Sequence, residues 1–174
     1  MSFVNIEIKA RTANTNQIRK FLLQKDADYL GEDLQTDTYF HAAAGRLKLR
    51  QGNIENALIF YNRQNVAGPK QSDYDLFPVE KGQSLESLLT KALGVKIIVH
   101  KKREIYYIGN VKFHLDTIEG LGNFVEIEAT NKTGLLAGEL QEQCSYYMHQ
   151  FAIKEEDLMM LSYSDLLADL INAV

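Results

Sequence analysis

Residues 111–129 read VKFHLDTIEGLGNFVEIEA. Val111, Phe113, Leu115 and Thr117 alternate with Lys112, His114 and Asp116; beyond Gly120-Leu121-Gly122, Val125, Ile127 and Ala129 alternate with Phe124, Glu126 and Glu128. Period two is the strand signature, and two such runs joined by a short glycine-containing connection read as an antiparallel hairpin. Each strand thus has an apolar side and a charged side. Working outward, Val4, Ile6, Ile8 and Ala10 alternate with Asn5, Glu7, Lys9 and Arg11, and Leu47 and Leu49 with Arg46, Lys48 and Arg50. Further strand-like stretches fall at about 35–41, 57–63, 73–79 and 97–108, the last separated from residue 111 by the turn pair Gly109-Asn110.

Helical patterns interrupt these roughly eight strands. Residues 14–24 begin at Asn14 and place Ile18, Phe21 and Leu22 on one face; residues 85–93 follow Ser84 and stop at Gly94. Residues 134–151 carry Leu140, Cys144, Tyr147 and Phe151 at helical spacing, and residues 163–173 follow Ser162 with Leu166, Leu167, Leu170 and Ile171. The expected fold is α+β: an antiparallel, closed or nearly closed eight-stranded β-tunnel flanked by helices. With 174 residues, two prolines and no linker or low-complexity stretch, it reads as a single domain over 1–174.

A net charge of -4 argues against a general nucleic-acid binder. The single cysteine, Cys144, allows no internal disulfide and no zinc-type spacing, which fits a reducing compartment. Residues 1–11 lack the pattern of a secretory signal, and no apolar run is long enough to span a bilayer. The expectation is a cytoplasmic protein with no membrane partner, as a monomer or homodimer. No G-x-x-x-x-G-K-[ST], helix-opening G-x-G-x-x-G or G-x-S-x-G motif is present.

The informative feature is the charged side of the strands: Glu7, Lys9, Arg46, Lys48, Arg50, Arg63, Lys101, Arg103, His114, Asp116, Glu126 and Glu128. For one strand a solvated face is the ordinary explanation. Across the set, the signs are sorted, with bases at 46–50 and 101–103 and acids at 116–128. Four amphipathic helices also need apolar surface to cover. If they cover the apolar sheet face, the charged face turns inward, into a barrel of a size that holds a small ligand. Arginine forks suit phosphate oxygens, carboxylates hold Mg2+ or Mn2+, and a polyphosphate ligates the same metal. A mixed-sign interior therefore points to a highly charged ligand such as a polyphosphate bound with a divalent cation, and to phosphoryl or nucleotidyl transfer. A non-catalytic polyphosphate or nucleotide binder, and a sandwich with solvated charges, are the alternatives.

In this order along nearly the whole chain, Asn5-Ile6-Glu7-Ile8-Lys9, Gln35 to Phe40, Gly45 to Arg50, Tyr61-Asn62-Arg63, Ser72-Asp73-Tyr74, Lys101-Lys102-Arg103, His114-Leu115-Asp116 and Gly120 to Glu128 resemble the CYTH, or triphosphate tunnel metalloenzyme, superfamily. Its members include class IV adenylate cyclases and thiamine, inorganic and RNA triphosphatases. The segments around Ser72 and from His114 to Glu128 look most like the class IV cyclase branch. That resemblance implies conversion of ATP to cyclic AMP and pyrophosphate. The alternative within the superfamily is hydrolysis of thiamine triphosphate, inorganic triphosphate or a nucleoside triphosphate. It implies Glu7, Glu126 and Glu128, with Asp116 as a further candidate, as ligands of Mg2+ or Mn2+. It implies Lys9, Arg46, Lys48, Arg50, Arg63, Lys101 and Arg103 as phosphate ligands, and Asn5, Lys70, Ser72 and His114 as possible substrate contacts. One departure stands out: Asn5 occupies the place of the first acid in the hallmark Glu-x-Glu-x-Lys. An amide oxygen ligates a metal without contributing charge, which puts a second metal position in question. No residue is identified as a general base.

Overall fold

The computed structural model describes residues 2–62, 69–81, 84–131 and 134–173. The eight strands form as the alternation predicts: β1 (Ser2–Arg11), β2 (Asp28–Phe40), β3 (Arg46–Gln51), β4 (Asn56–Asn62), β5 (Lys70–Pro78), β6 (Val95–Ile108), β7 (Val111–Ile118) and β8 (Gly122–Thr130). They close into a barrel in the order β1-β5-β4-β3-β2-β6-β7-β8, with β8 paired back onto β1 and every pairing antiparallel. Closure removes both sheet edges. The β6–β7 hairpin turns at Gly109-Asn110 and β7–β8 at Glu119–Leu121, as the turn residues indicate.

Strand β2 starts seven residues earlier than its own alternation shows. Residues 28–34 (DYLGEDL) have no period-two pattern; they are extended because β6 pairs with them along their length. Helix α1 (Thr15–Gln24), α2 (Leu85–Leu93) and α4 (Tyr163–Asn172) lie where expected, and α3 (Ala137–Gln150) starts three residues late. Gly134 sits at φ 79°, and Leu136 is extended and receives the Glu139 carboxylate on its N–H at 2.8 Å, so the helix begins after it.

The helices do different work. Helices α1 and α3 cover the outside of β1, β7 and β8, where Ile6, Ile8, Phe113, Leu115, Val125 and Ile127 pack against Ile18, Leu22, Leu140, Cys144 and Phe151. This turns the alternate, charged residues of those strands inward. The sulfur of buried Cys144 donates to the Ile6 carbonyl at 3.2 Å, and burial pushes its thiol up to about 12. Helix α2 buries none of its residues. The N-terminal residue of α4, Tyr163, enters the barrel end, where it packs with Tyr39, Ile59, Tyr61, Val99, Ile118 and Phe124 in a second cluster on the inner side of the wall. The expectation that all four helices cover an apolar outer face is therefore corrected: two do, and a third closes one end.

Candidate functional site

The barrel encloses a cavity of about 330 Å³, the size of pocket that takes a small organic ligand. Its lining divides into two arcs. Strands β1, β6, β7 and β8 contribute Glu7, Lys9, Lys101, Arg103, Lys112, His114, Glu126 and Glu128; β3 adds Lys48 and Arg50. Facing them, β4 and β5 present Ala57, Ile59, Tyr61, Tyr74 and Leu76, joined by Tyr39 of β2. Ser162 and Tyr163 line the end closed by α4. Ser162 caps that helix, accepting from the Asp165 N–H at 3.2 Å while donating to the Asp165 carboxylate at 2.7 Å.

The charges are wired to one another. Asp37, buried on β2, accepts from Lys48 at 2.9 Å, from Lys101 at 2.7 Å and from both arms of Arg50 at 2.9 and 3.0 Å. Burial alone would raise its pKa; Arg50, Lys101 and Lys48 together hold the carboxyl well below the usual range. Asp116 of β7 accepts a fork–fork pair from Arg103 at 2.7 and 2.5 Å and the Tyr163 hydroxyl at 2.8 Å. Glu126 of β8 accepts from Lys9 at 2.7 Å, Arg103 at 2.9 Å and His114 Nδ1 at 2.9 Å. Burial opposes its ionisation, and Lys9 and Arg103 outweigh that, so it too is held well below the usual range. The ammonium of Lys9 also stands 3.7 Å over the Tyr163 ring.

His114 is buried, and burial together with Arg103 and Lys112 lowers its pKa to about 4 against the pull of Glu126. It is therefore neutral, its Nδ1–H donates to Glu126, and Nε2 has no hydrogen-bond partner among the described residues. Glu55, on the turn between β3 and β4, accepts from Arg50 at 2.9 Å, from Gln35 at 3.1 Å and from Lys112. Among the described residues the network holds six cations (Lys9, Lys48, Arg50, Lys101, Arg103, Lys112) and six carboxylates (Glu7, Asp37, Glu55, Asp116, Glu126, Glu128). Among these residues the charges balance.

Most of the residues singled out from the sequence meet here. Glu7, Lys9, Lys48, Arg50, Lys101, Arg103, His114, Glu126 and Glu128 line the one cavity. Asp116 lies behind Arg103, its carboxylate occupied by that guanidinium and by Tyr163, and so positions a cation rather than facing the cavity. Arg46 pairs with Asp165 at 2.8 Å and lines a small separate recess with His41 and Lys96. Arg63 lies outside the described residues, and of Lys70 and Ser72 only the backbone register is described: Lys70 opposite Glu7 and Ser72 opposite Asn5. Asp37, Glu55, Lys112 and Tyr163 were not singled out. Lys112 and Asp37 carry a signal, since each sits two residues before an inward-facing neighbour, His114 and Tyr39; Glu55 and Tyr163, on a turn and a helix end, carry none.

Whether a divalent cation suits this chain turns on Asn5, Glu7 and Glu128. Glu7 and Glu128 stand directly opposite in the β1–β8 register, an unfavourable arrangement for two like charges. The Asn5 amide donates to Glu128 at 2.5 Å, while its own oxygen is buried and accepts no hydrogen bond among the described residues. This is an all-oxygen donor set with an orphaned acceptor, which fits a hard cation. No cluster of three or more His, Cys, Asp or Glu is arranged for a metal among the described residues. Two carboxylates and one amide oxygen are fewer than the octahedral shell of an ion such as Mg2+ takes, so the remaining ligands would come from outside this set.

Comparison with known proteins agrees with this architecture. A candidate adenylate cyclase of Methanocaldococcus jannaschii is 21% identical over 94% of this chain and 98% of its own. The PH1012 protein of Pyrococcus horikoshii superposes with a TM-score of 0.76 at 24% identity, covering 93% of this chain and 98% of its own. A candidate adenylyl cyclase of Hippeastrum, whose structure is described as revealing a dominant triphosphatase activity, superposes with a TM-score of 0.60 at 14% identity, covering 95% and 93%. Residues 4–163 match the CYTH domain, and the chain belongs to the CYTH family.

Proposed function

We propose that this protein is an enzyme that takes an organic triphosphate, accompanied by Mg2+ or Mn2+, into its tunnel and transfers a phosphoryl or nucleotidyl group. The observation that carries the reading is the division of one cavity into a charged arc and an apolar one. An inorganic polyphosphate uses only the first. The Tyr61, Tyr74, Ile59 and Leu76 surface suits the planar ring of a nucleoside or thiamine moiety.

Lys9, Lys101 and Arg103 at the α4 end, and Lys48, Arg50 and Lys112, are the phosphate contacts. Since the charges of the described tunnel residues nearly balance, they do not by themselves offset a polyanion, which favours entry of the phosphates with their cation. Glu7, Glu128 and the Asn5 oxygen would hold that ion, which would draw off negative charge from the phosphate oxygens. Glu126 is engaged by Lys9, Arg103 and His114 and chiefly orients them. Catalysis of this kind is positioning plus electrostatic stabilisation.

Adenylate cyclase chemistry, in which the ribose 3′-hydroxyl attacks the α-phosphorus and pyrophosphate leaves, is the leading reading, supported by the naming of the Methanocaldococcus relative. Attack of water on the terminal phosphorus is the second, supported by the Hippeastrum neighbour. The test incubates the protein with ATP, thiamine triphosphate and inorganic triphosphate, each with Mg2+ or Mn2+, and separates the products by anion exchange. Cyclic AMP and pyrophosphate support the cyclase; orthophosphate from an organic triphosphate supports the hydrolase. Turnover of inorganic triphosphate alone refutes the role given to the apolar arc. Tight binding without product from any of the three leaves a polyphosphate- or nucleotide-binding protein.

A further inference from the structure

Of the carboxylates that neutralise the tunnel, Glu55 differs in origin. Asp37, Asp116 and Glu126 belong to strands, and each accepts three or more hydrogen bonds, as Glu55 does from Arg50, Gln35 and Lys112. Glu55 comes from the turn between β3 and β4, is the most exposed of these four at 22%, and reaches back into the cavity to join Arg50 on β3 to Lys112 on β7. Strands β2 and β6 separate those partners, so the carboxylate spans the lumen.

The turn is built to deliver it. Fully buried Asp33 accepts the Ile54 and Glu55 backbone N–H groups at 2.9 Å each. Gly52 lies so close that a Cβ there would come within 2.4 Å of the Asp33 carboxylate. The backbone of the turn is therefore anchored by Asp33, independently of the Glu55 carboxylate, which is held only through side-chain contacts to Arg50, Gln35 and Lys112. Lys9 and Lys101 gather at the other end of the tunnel, 3.7 and 5.8 Å from the Tyr163 ring.

We propose that Glu55 is an exchangeable counter-ion: it holds the place of one phosphate group between Arg50 and Lys112, and a polyphosphate long enough to reach from the α4 end displaces it. This rests on the reading of the tunnel as a triphosphate site, and it makes Lys112 a phosphate ligand. While the tunnel is empty, Glu55 keeps two cations paired that would otherwise repel each other and bind small anions unselectively.

The test is calorimetric titration of inorganic tripolyphosphate, without metal and at low salt, into wild type, Glu55→Gln, Lys112→Met and the double variant. The expected result is binding about tenfold tighter in Glu55→Gln. It should be weaker in Lys112→Met, and most of the Glu55→Gln gain should vanish when Lys112 is absent, a coupling that a purely structural role would not produce. Wild-type binding left unchanged or weakened by Glu55→Gln overturns the counter-ion role and spares the triphosphate reading. Failure of all four proteins to bind, both without metal and when the titration is repeated with Mg2+, overturns both. If Glu55→Gln does not fold, carboxyl NMR of the wild type decides. The Glu55 signal should move towards that of a solvated glutamate as tripolyphosphate is added, and a static signal at saturation refutes the exchange.

Discussion

The two sides of this barrel bury apolar surface in opposite places. Along β1, β7 and β8 the core lies outside the wall, under α1 and α3, and the inside is charged. Along β4 and β5 the inside is aliphatic and aromatic, and the outside carries exposed Phe60 and Phe77, with no helix burying them among the described residues. A strand needs one apolar face in contact with something. Where function claims the inner face for charge, helices must supply the contact outside; where the inner face is itself apolar, the outer one can stay bare. The difference predicts very unequal costs for substitutions on the two sides.

The largest belongs to the charge network. Asp37→Asn removes the carboxylate shared by Lys48, Arg50 and Lys101, leaving Arg50 with Glu55 and the two lysines with no carboxylate partner among the described residues. A loss of about 3–5 kcal/mol in urea denaturation is expected. A loss below about 1 kcal/mol would mean that water inside the tunnel solvates those cations, and the insulated side would be no different from the bare one. Next comes the helix that insulates it. Leu140 of α3 is 1% exposed in the outer core, and Leu140→Ala should cost roughly 2–5 kcal/mol by the same measurement.

The charged side was largely legible in the sequence, because its strands alternate cleanly. Glu7 and Lys9, Lys48 and Arg50, Lys101 and Arg103, and His114, Glu126 and Glu128 all reach the cavity, and strand parity sends them there. The other side was not. In β4, Ala57, Ile59 and Tyr61 face in while Leu58 and Phe60 face out, so there is no polar partner face to mark the inner one. The pairing of Arg103 with Asp116, and of Glu55 with Lys112, depends on barrel closure and on a turn anchored by Asp33, neither of which is written in local spacing.

A third effect isolates one group in the charged arc. His114 titrates at about 4 in the folded, metal-free protein against an ordinary 6.5, so between those values the unfolded chain binds a proton that the folded chain refuses. The stability this group contributes is complete above pH 6.5 and falls as the pH drops towards 4, by about 1.4 kcal/mol per pH unit. Asp37 and Glu126, whose ordinary values are 3.8 and 4.5, add their own losses only at the acid end of that window and below it. Urea midpoints measured with chelator from pH 7 to 4.5 should therefore slope downward in the wild type and much less in His114→Gln. Equal slopes would place a charged imidazole in the tunnel wall.

The smallest effect is expected on the bare side. Phe77 of β5 is 68% exposed on the outer face, opposite Leu58 of β4. Phe77→Ser removes a large ring yet should change stability by no more than about 0.5 kcal/mol, because little of that ring is taken out of water on folding. The comparison with Leu140→Ala holds the chemistry nearly constant, since both delete an apolar side chain from the outside of the same barrel, and varies only the presence of a helix above it. If Phe77→Ser instead costs as much as Leu140→Ala in dilute monomer, the outer surface of β4 and β5 carries a core after all, and the division of the barrel into an insulated and a bare side fails. A cost that appears only at high protein concentration would mean that another molecule supplies the missing cover.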